Sequence, residues 1–205
     1  MRHNMMLSGS SGLASTYFEQ DNSIEGSGFQ FFSDTNTTQE SDGVDGDYLY
    51  WAHYSSDDLT SRRRAIVFIE PSESKPIVAG DVFRCSGEVD WYNGSEFNDE
   101  INDFAQTMTI RTYSQEPSPI SDTANSLRLV IESESNAGES LLVSPIGSFS
   151  HDFTIPTGYT AGIRLYFDFS MDEEYLPPNP PFPDMPLPYI GTRIKNIKLE
   201  VISRA

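Results

Sequence analysis

The chain has 205 residues, a formal charge of −18 and an aromatic content of 12%. A surface this acidic repels nucleic acid and anionic membranes, so neither is an expected partner. Thirteen Phe and ten Tyr exclude a disordered acidic chain, and a single cysteine excludes an intrachain disulfide.

Residues 1–14 read as a flexible N-terminal arm. Its longest apolar run, Met5-Met6-Leu7, is far short of the roughly 7–15 apolar residues of a signal peptide, and Ser8 to Gly12 is linker-like. With its Met start, the chain is expected to be made without an export leader. Residues 15–205 show no break in composition and no repeat, so one domain is expected there.

Period-2 alternation dominates that domain, and no stretch has a clear helical period. Short strands are expected at residues 17–20 and 28–33. Next comes an acidic loop, Asp42-Gly-Val-Asp45-Gly-Asp47, whose carboxylates around two glycines could offer oxygen ligands to calcium, although the spacing is not that of an EF-hand. Strands follow at 47–54 and 64–70, the latter preceded by Arg62 and Arg63. That basic cluster is either a solvated strand start or a contact for the acidic loop of a neighbouring subunit.

Residues 82–91 give the clearest strand. Phe83, Cys85, Gly87, Val89 and Trp91 share one face, and Arg84, Ser86, Glu88 and Asp90 the other. Cys85 therefore reads as a buried structural thiol. Residues 96–103 form a second acidic loop with the same calcium reading. Further strands are expected at 106–113, 126–132, 149–155, 162–170 and 193–202. Asp-Gly, Asn-Gly and similar turn signals separate many of these strands, which argues for an antiparallel β-sandwich in jelly-roll form.

Residues 175–189, YLPPNPPFPDMPLPY, hold seven of the 13 prolines and precede the last strand. Proline donates no backbone hydrogen bond and favours polyproline II, so this is a long, stiff loop. Leu176, Phe182, Met185, Leu187 and Tyr189 then either cover this domain's own sandwich or dock on a partner subunit.

Four features in order carry a resemblance: Tyr17-Phe18-Glu19 with Gly28-Phe29; Pro76 through Arg84; Phe153 through Phe167; and Ile194 through Leu199. Over residues 16–202 the chain resembles the jelly-roll carbohydrate-binding modules that accompany xylanases and laminarinases, an architecture also used in phage virion surface proteins. The resemblance implies a structural calcium near Glu19, completed by an Asp in the last strand. The matching position here is Lys195 or Asn196. Lysine cannot ligate calcium, so a Glu19–Lys195 ion pair is expected to replace the metal.

Glu88-Val-Asp90-Trp-Tyr92 resembles the Glu-x-Asp-x-Glu set of jelly-roll glycoside hydrolases, with Tyr92 in place of the third carboxylate. A phenol is a poor acid at neutral pH, so no catalytic residue is assigned. His53 and His151 lack zinc-ligand spacing, and His53 and Tyr54, as neighbours on a strand, face opposite sides. Of the aromatics, Tyr92 and Tyr113 are the favoured platforms for stacking sugar rings. Trp91 is a further candidate, although its face points inward like that of Trp51.

The expected function is a non-catalytic virion-surface protein, in capsid decoration or tail fibre, that assembles with protein subunits and binds host glycan. The alternative is an extracellular carbohydrate-binding module of a polysaccharide-degrading system. A lyase or glycosidase comes third.

Overall fold

Strict alternation lets each strand bury one row of side chains and present the other. The computed structural model describes residues 15–21, 23, 26–33, 40–54, 62–93, 105–115, 141–143, 147–170 and 189–205. These hold β1 (Ser15–Glu19), β2 (Gln30–Ser33), β3 (Glu40–Asp45), β4 (Tyr48–Tyr54), β5 (Arg62–Ile69), β6 (Val82–Asn93), β7 (Ala105–Tyr113), β8 (Leu141–Val143), β9 (Gly147–Thr154), β10 (Gly162–Ser170) and β11 (Tyr189–Ser203). Among the described residues there is no helix.

The strands form two antiparallel sheets packed as a sandwich. One has six strands in the order β3-β4-β11-β6-β9, with β1 added on β11; the other runs β2-β5-β10-β7-β8. β11 organises the first sheet. β6 pairs along one edge of it from Ile190 to Ser203. On the other edge β4 takes Tyr189 to Ile194, and β1 takes Lys198 to Val201.

A bulge separates those two stretches. Lys195 lies opposite Glu88 and Lys198 opposite Ser86, so Asn196 and Ile197 together face Gly87. Asn196 takes φ 55°, a left-handed position that Asn tolerates better than most residues. A Cβ on Gly87 would collide with the Ile197 side chain, so the close approach requires glycine there. The Gln20 amide closes the gap: its Nε2 donates to the Ile194 carbonyl at 3.3 Å, and its Oε1 accepts from the Ile197 amide at 3.2 Å.

The bulge shifts the alternation so that Ile194, Ile197, Leu199 and Val201 all enter the core. Trp51, Phe83, Cys85, Phe167 and Leu165 meet them there. Tyr17 packs edge-on against Phe83 at 4.9 Å, and Trp51 does so against Phe167 at 6.5 Å. Cys85 is fully buried, and burial pushes its thiol pKa well up, so the unreactive protonated form is favoured.

Two strand expectations change. Asp42 to Asp45 is part of strand β3, not of a loop, because Gly46 at φ 61° and Asp47 make a two-residue hairpin turn into β4. The last strand begins at Tyr189, so Tyr189 belongs to β11 and pairs with Tyr54 rather than ending the Pro-rich loop. The expected strand at 126–132, the arm 1–14, the acidic loop 96–103 and Leu176, Phe182, Met185 and Leu187 lie outside the described residues.

The chain end is tied down as well. Arg204 donates to Asp81 at 2.5 Å, to the Pro76 carbonyl at 2.9 Å and to the Tyr17 hydroxyl at 2.7 Å. Asp81 is 1% exposed and also accepts from the Ala205 amide. Replacing Arg204 with Ala leaves the buried Asp81 carboxylate without its cation. Stability is expected to fall by about 1–2 kcal/mol, a modest figure because the guanidinium is partly exposed. Urea denaturation of the variant checks this.

Candidate functional site

The face of the six-stranded sheet turned away from the core gathers chemistry from four strands. β3 supplies Asp45, β4 supplies Tyr48 and Tyr50, β11 supplies Arg193 and Lys195, and β6 supplies Glu88, Asp90 and Tyr92. The register aligns them in rows: Gly43, Tyr50, Arg193 and Asp90 lie side by side, as do Ala52, Gly191 and Tyr92. All eight of the supplied side chains are half-buried or exposed.

Tyr50 and Tyr92 reach toward each other across β11. Their rings stack at 4.0 Å between centroids and 8° between planes. Gly191, opposite Tyr92, puts no side chain between them, and a Cβ there would strike the Trp51 carbonyl. On the far side of Tyr50, a Cβ on Gly43 would lie 2.7 Å from the ring edge and hydroxyl. The stack is thus seated by two glycines that admit it closely.

Ion pairs fix the rest. Arg193 donates to Asp90 through Nε at 3.1 Å and Nη2 at 2.6 Å, and to Asp45 through Nη1 at 2.9 Å. Its guanidinium also lies over the Tyr48 ring at 4.6 Å. The Lys195 Nζ is 4.4 Å from the same ring centroid and 3.2 Å from Glu88. The Tyr48 hydroxyl donates to Glu88. That bond, with Lys195 beside it, holds the Glu88 carboxyl below its ordinary range. Toward β9, Arg84 grips Asp152 with two bonds, at 2.7 and 2.8 Å.

The sequence-expected residues separate. Tyr92 joins the stack. Trp91 is half-buried and has the core-side parity of β6, so it lies apart from that stack. Tyr113 is corrected as a platform: it is 1% exposed, on the outer face of the second sheet. Its hydroxyl is 2.8 Å from that of Tyr166, and the buried Arg164 guanidinium lies over its ring at 5.1 Å. Burial leaves it no free face for a sugar.

Arg64, also on that side, is buried 2.6 Å from Asp168 rather than solvated. Arg62 and Arg63 pair through their backbones with Ser170 and Phe169. His151 is half-buried on β9.

The calcium expectations are also corrected. Strand alternation puts Asp42 and Asp45 on opposite faces of β3, Asp45 is committed to Arg193, and Asp47 sits in the turn. Among the described residues no three His, Cys, Asp or Glu side chains gather as a metal site. Glu19 lies opposite Lys198, not Lys195. At that junction the Gln20 amide bonds the Ile194 carbonyl and the Ile197 amide.

No family model matches the chain, and no curated protein matches it. Among solved structures it is similar to TmCBM61 in complex with β-1,4-galactotriose, at 9% identity over 90% of this chain and 97% of that one, with a TM-score of 0.42. It is similar to the CBM22-1 xylan-binding domain of Paenibacillus barcinonensis Xyn10C, at 6% identity over 94% and 97% of the two chains, TM-score 0.46. It is also similar to the enzymatically active domain of bacteriophage CBA120 tailspike protein 4, at 10% identity and TM-score 0.40. There it covers 86% of this chain but 20% of that one. The likeness is one of fold, and the sandwich itself is evident in the chain's own two sheets.

Burial, and then the Tyr50 phenol beside it, push the Tyr92 pKa up to about 12. Burial also raises that of Tyr166. A raised folded-state pKa means that the neutral phenol is favoured by folding. That stability is whole below about pH 10 and is lost as pH rises through about 12. Urea midpoints measured across this range are expected to fall, and Tyr92→Phe, which keeps the ring and removes the proton, is expected to flatten part of the fall.

Proposed function

We propose that the chain is a non-catalytic binding protein that docks a saccharide on the outer face of its six-stranded sheet. The Tyr50–Tyr92 stack carries this reading. The two rings cover one face of each other, and as a half-buried, rigid pair they keep some apolar ring surface for the C–H face of a sugar, so ordering them on binding loses little side-chain entropy. Around it, fixed carboxylates, a guanidinium and a phenol offer hydrogen bonds to hydroxyls.

The charge state of the face supports binding over hydrolysis. A general acid needs a raised pKa, whereas the Glu88 carboxyl is lowered and Asp90 is bonded to Arg193. The third position of the hydrolase-like set holds Tyr92, a phenol whose pKa is pushed up to about 12 and which is a poor acid at neutral pH. Tyr92→Ala is expected to abolish retention on immobilised polysaccharide while leaving the thermal midpoint within a few degrees. Affinity electrophoresis beside a calorimetric scan measures both.

The setting we propose is a virion surface, in company with other subunits. What supports it is the sequence: the −18 charge suits an outer position, and residues 175–189 set seven prolines among Leu176, Phe182, Met185 and Leu187, a composition that suits docking on a partner. Light scattering is expected to find an assembly that the double variant Phe182→Ser, Leu187→Ser dissociates with unchanged subunit stability. A monomer would favour the second reading, a free module of a polysaccharide-degrading system.

A further inference from the structure

We infer that the ligand of this face is an uncharged, extended saccharide, and that Asp90 and Glu88 determine this specificity by keeping Arg193 and Lys195 occupied. The inference rests on the saccharide-binding reading above.

Charge comes first. Around the stack the face holds three carboxylates, Asp45, Glu88 and Asp90, and two cations, Arg193 and Lys195, and further along the strands lie two more pairs, Arg84 with Asp152 and Lys198 with Glu200. Both cations around the stack are spoken for. Arg193 spends three of its donors on Asp90 and Asp45, and its plane lies against the Tyr48 ring. Lys195 is shared between Glu88 and Tyr48. An acidic sugar would have to displace a resident carboxylate or sit beside one, on a chain of −18. Like charges brought together are strongly disfavoured. An amino sugar meets carboxylates that are each bonded already, Asp45 and Asp90 to Arg193 and Glu88 to Lys195, so its ammonium has to compete with a resident cation.

Sugar hydroxyls face no such conflict. A carboxylate has about four lone-pair sites. One bonded to a cation therefore still accepts from a hydroxyl, and its orientation is already fixed.

Shape comes second. The polar rows do not stop at β6. Ser148 and Ser150 on β9 are exposed on the same face, opposite Glu88 and Ser86. Asp45 to Ser148 thus crosses five neighbouring strands, roughly 19 Å at about 4.8 Å per strand. Hydrogen-bonding groups at strand spacing suit a linear chain lying across the strands, contacted at several successive sugars.

The test is calorimetric titration of the full chain with cello-, xylo- and galacto-oligosaccharides from monosaccharide to hexasaccharide. Oligogalacturonates and chitosan oligomers of matched length are titrated beside them. A neutral series is expected to bind, with affinity rising with length before it levels. Raising the salt is expected to change that affinity less than about twofold, because no charge on the ligand is screened. Oligogalacturonates are expected to bind at least about tenfold more weakly. Asp90→Asn, which releases part of Arg193, is expected to narrow that gap severalfold.

The proposal is overturned if the tightest ligand is acidic or cationic, or if a monosaccharide binds as well as a tetrasaccharide, while Tyr92→Ala still abolishes binding. The saccharide reading would survive that result. Absence of binding across the whole panel, or binding indifferent to Tyr92→Ala, overturns the saccharide reading itself and the inference with it. The ligand preference of the unmodified chain decides the matter even if Asp90→Asn fails to fold.

Discussion

One bulge in β11 sets the two faces of the six-stranded sheet. Residues 194–201 read IKNIKLEV, and a plain strand would send Ile194 and Ile197 to opposite sides. Placing Asn196 and Ile197 together opposite Gly87 turns both isoleucines inward and leaves Lys195 and Lys198 outside. The arrangement needs a left-handed Asn196, a glycine at 87 and a side chain that satisfies the backbone groups left between β1 and β4. Gln20 meets the last need, and it is itself buried. An amide suits this position because it brings one donor and one acceptor at no cost in charge. A metal would need a set of anionic ligands in the same small space.

On the outer side the same register aligns the candidate site. Arg193 precedes the bulge by a few residues, so its row with Tyr50 and Asp90 depends on pairing that the bulge leaves undisturbed. Charged pairs on an exposed sheet contribute little to stability one at a time. Here they are linked through Tyr48 and Arg193 into a network whose members hold one another in place. The glycines at 43 and 191 matter for the opposite reason: they admit a close approach that any side chain would block. Rigid aromatics, paired charges and two gaps together make a surface whose shape is fixed by the chain itself.

Much of this was legible in the residues. The alternation in 82–91 gave β6 its correct faces, and it placed Glu88, Asp90 and Tyr92 side by side. The bounds of β10, Gly162–Ser170, coincide with those that alternation and turn signals predict. What was not legible was which strands neighbour which. Tyr50 and Tyr92 are far apart in sequence and meet only because β11 lies between their strands. Tyr113 looked equivalent to Tyr92 because both end a strand, yet one is buried beside Arg164 and the other is stacked at an open face. The Asp42–Asp47 stretch offered two Asp-Gly turn signals, and only the second is a turn, since the first falls inside β3. Gly43 within that strand was the available clue, because glycine in a strand often marks a close neighbour.

The central position of β11 has a consequence for how the molecule is made. β1, β4 and β6 all pair with it, and all precede it in the chain. Until residues 189–203 are synthesised, the six-stranded sheet lacks its middle, and β4 and β6 carry open edges on strands rich in aromatic and apolar residues. Such edges pair readily with other chains. The six-stranded sheet can therefore close only once the end of the chain is made, whereas the β2-β5-β10-β7-β8 sheet does not need it.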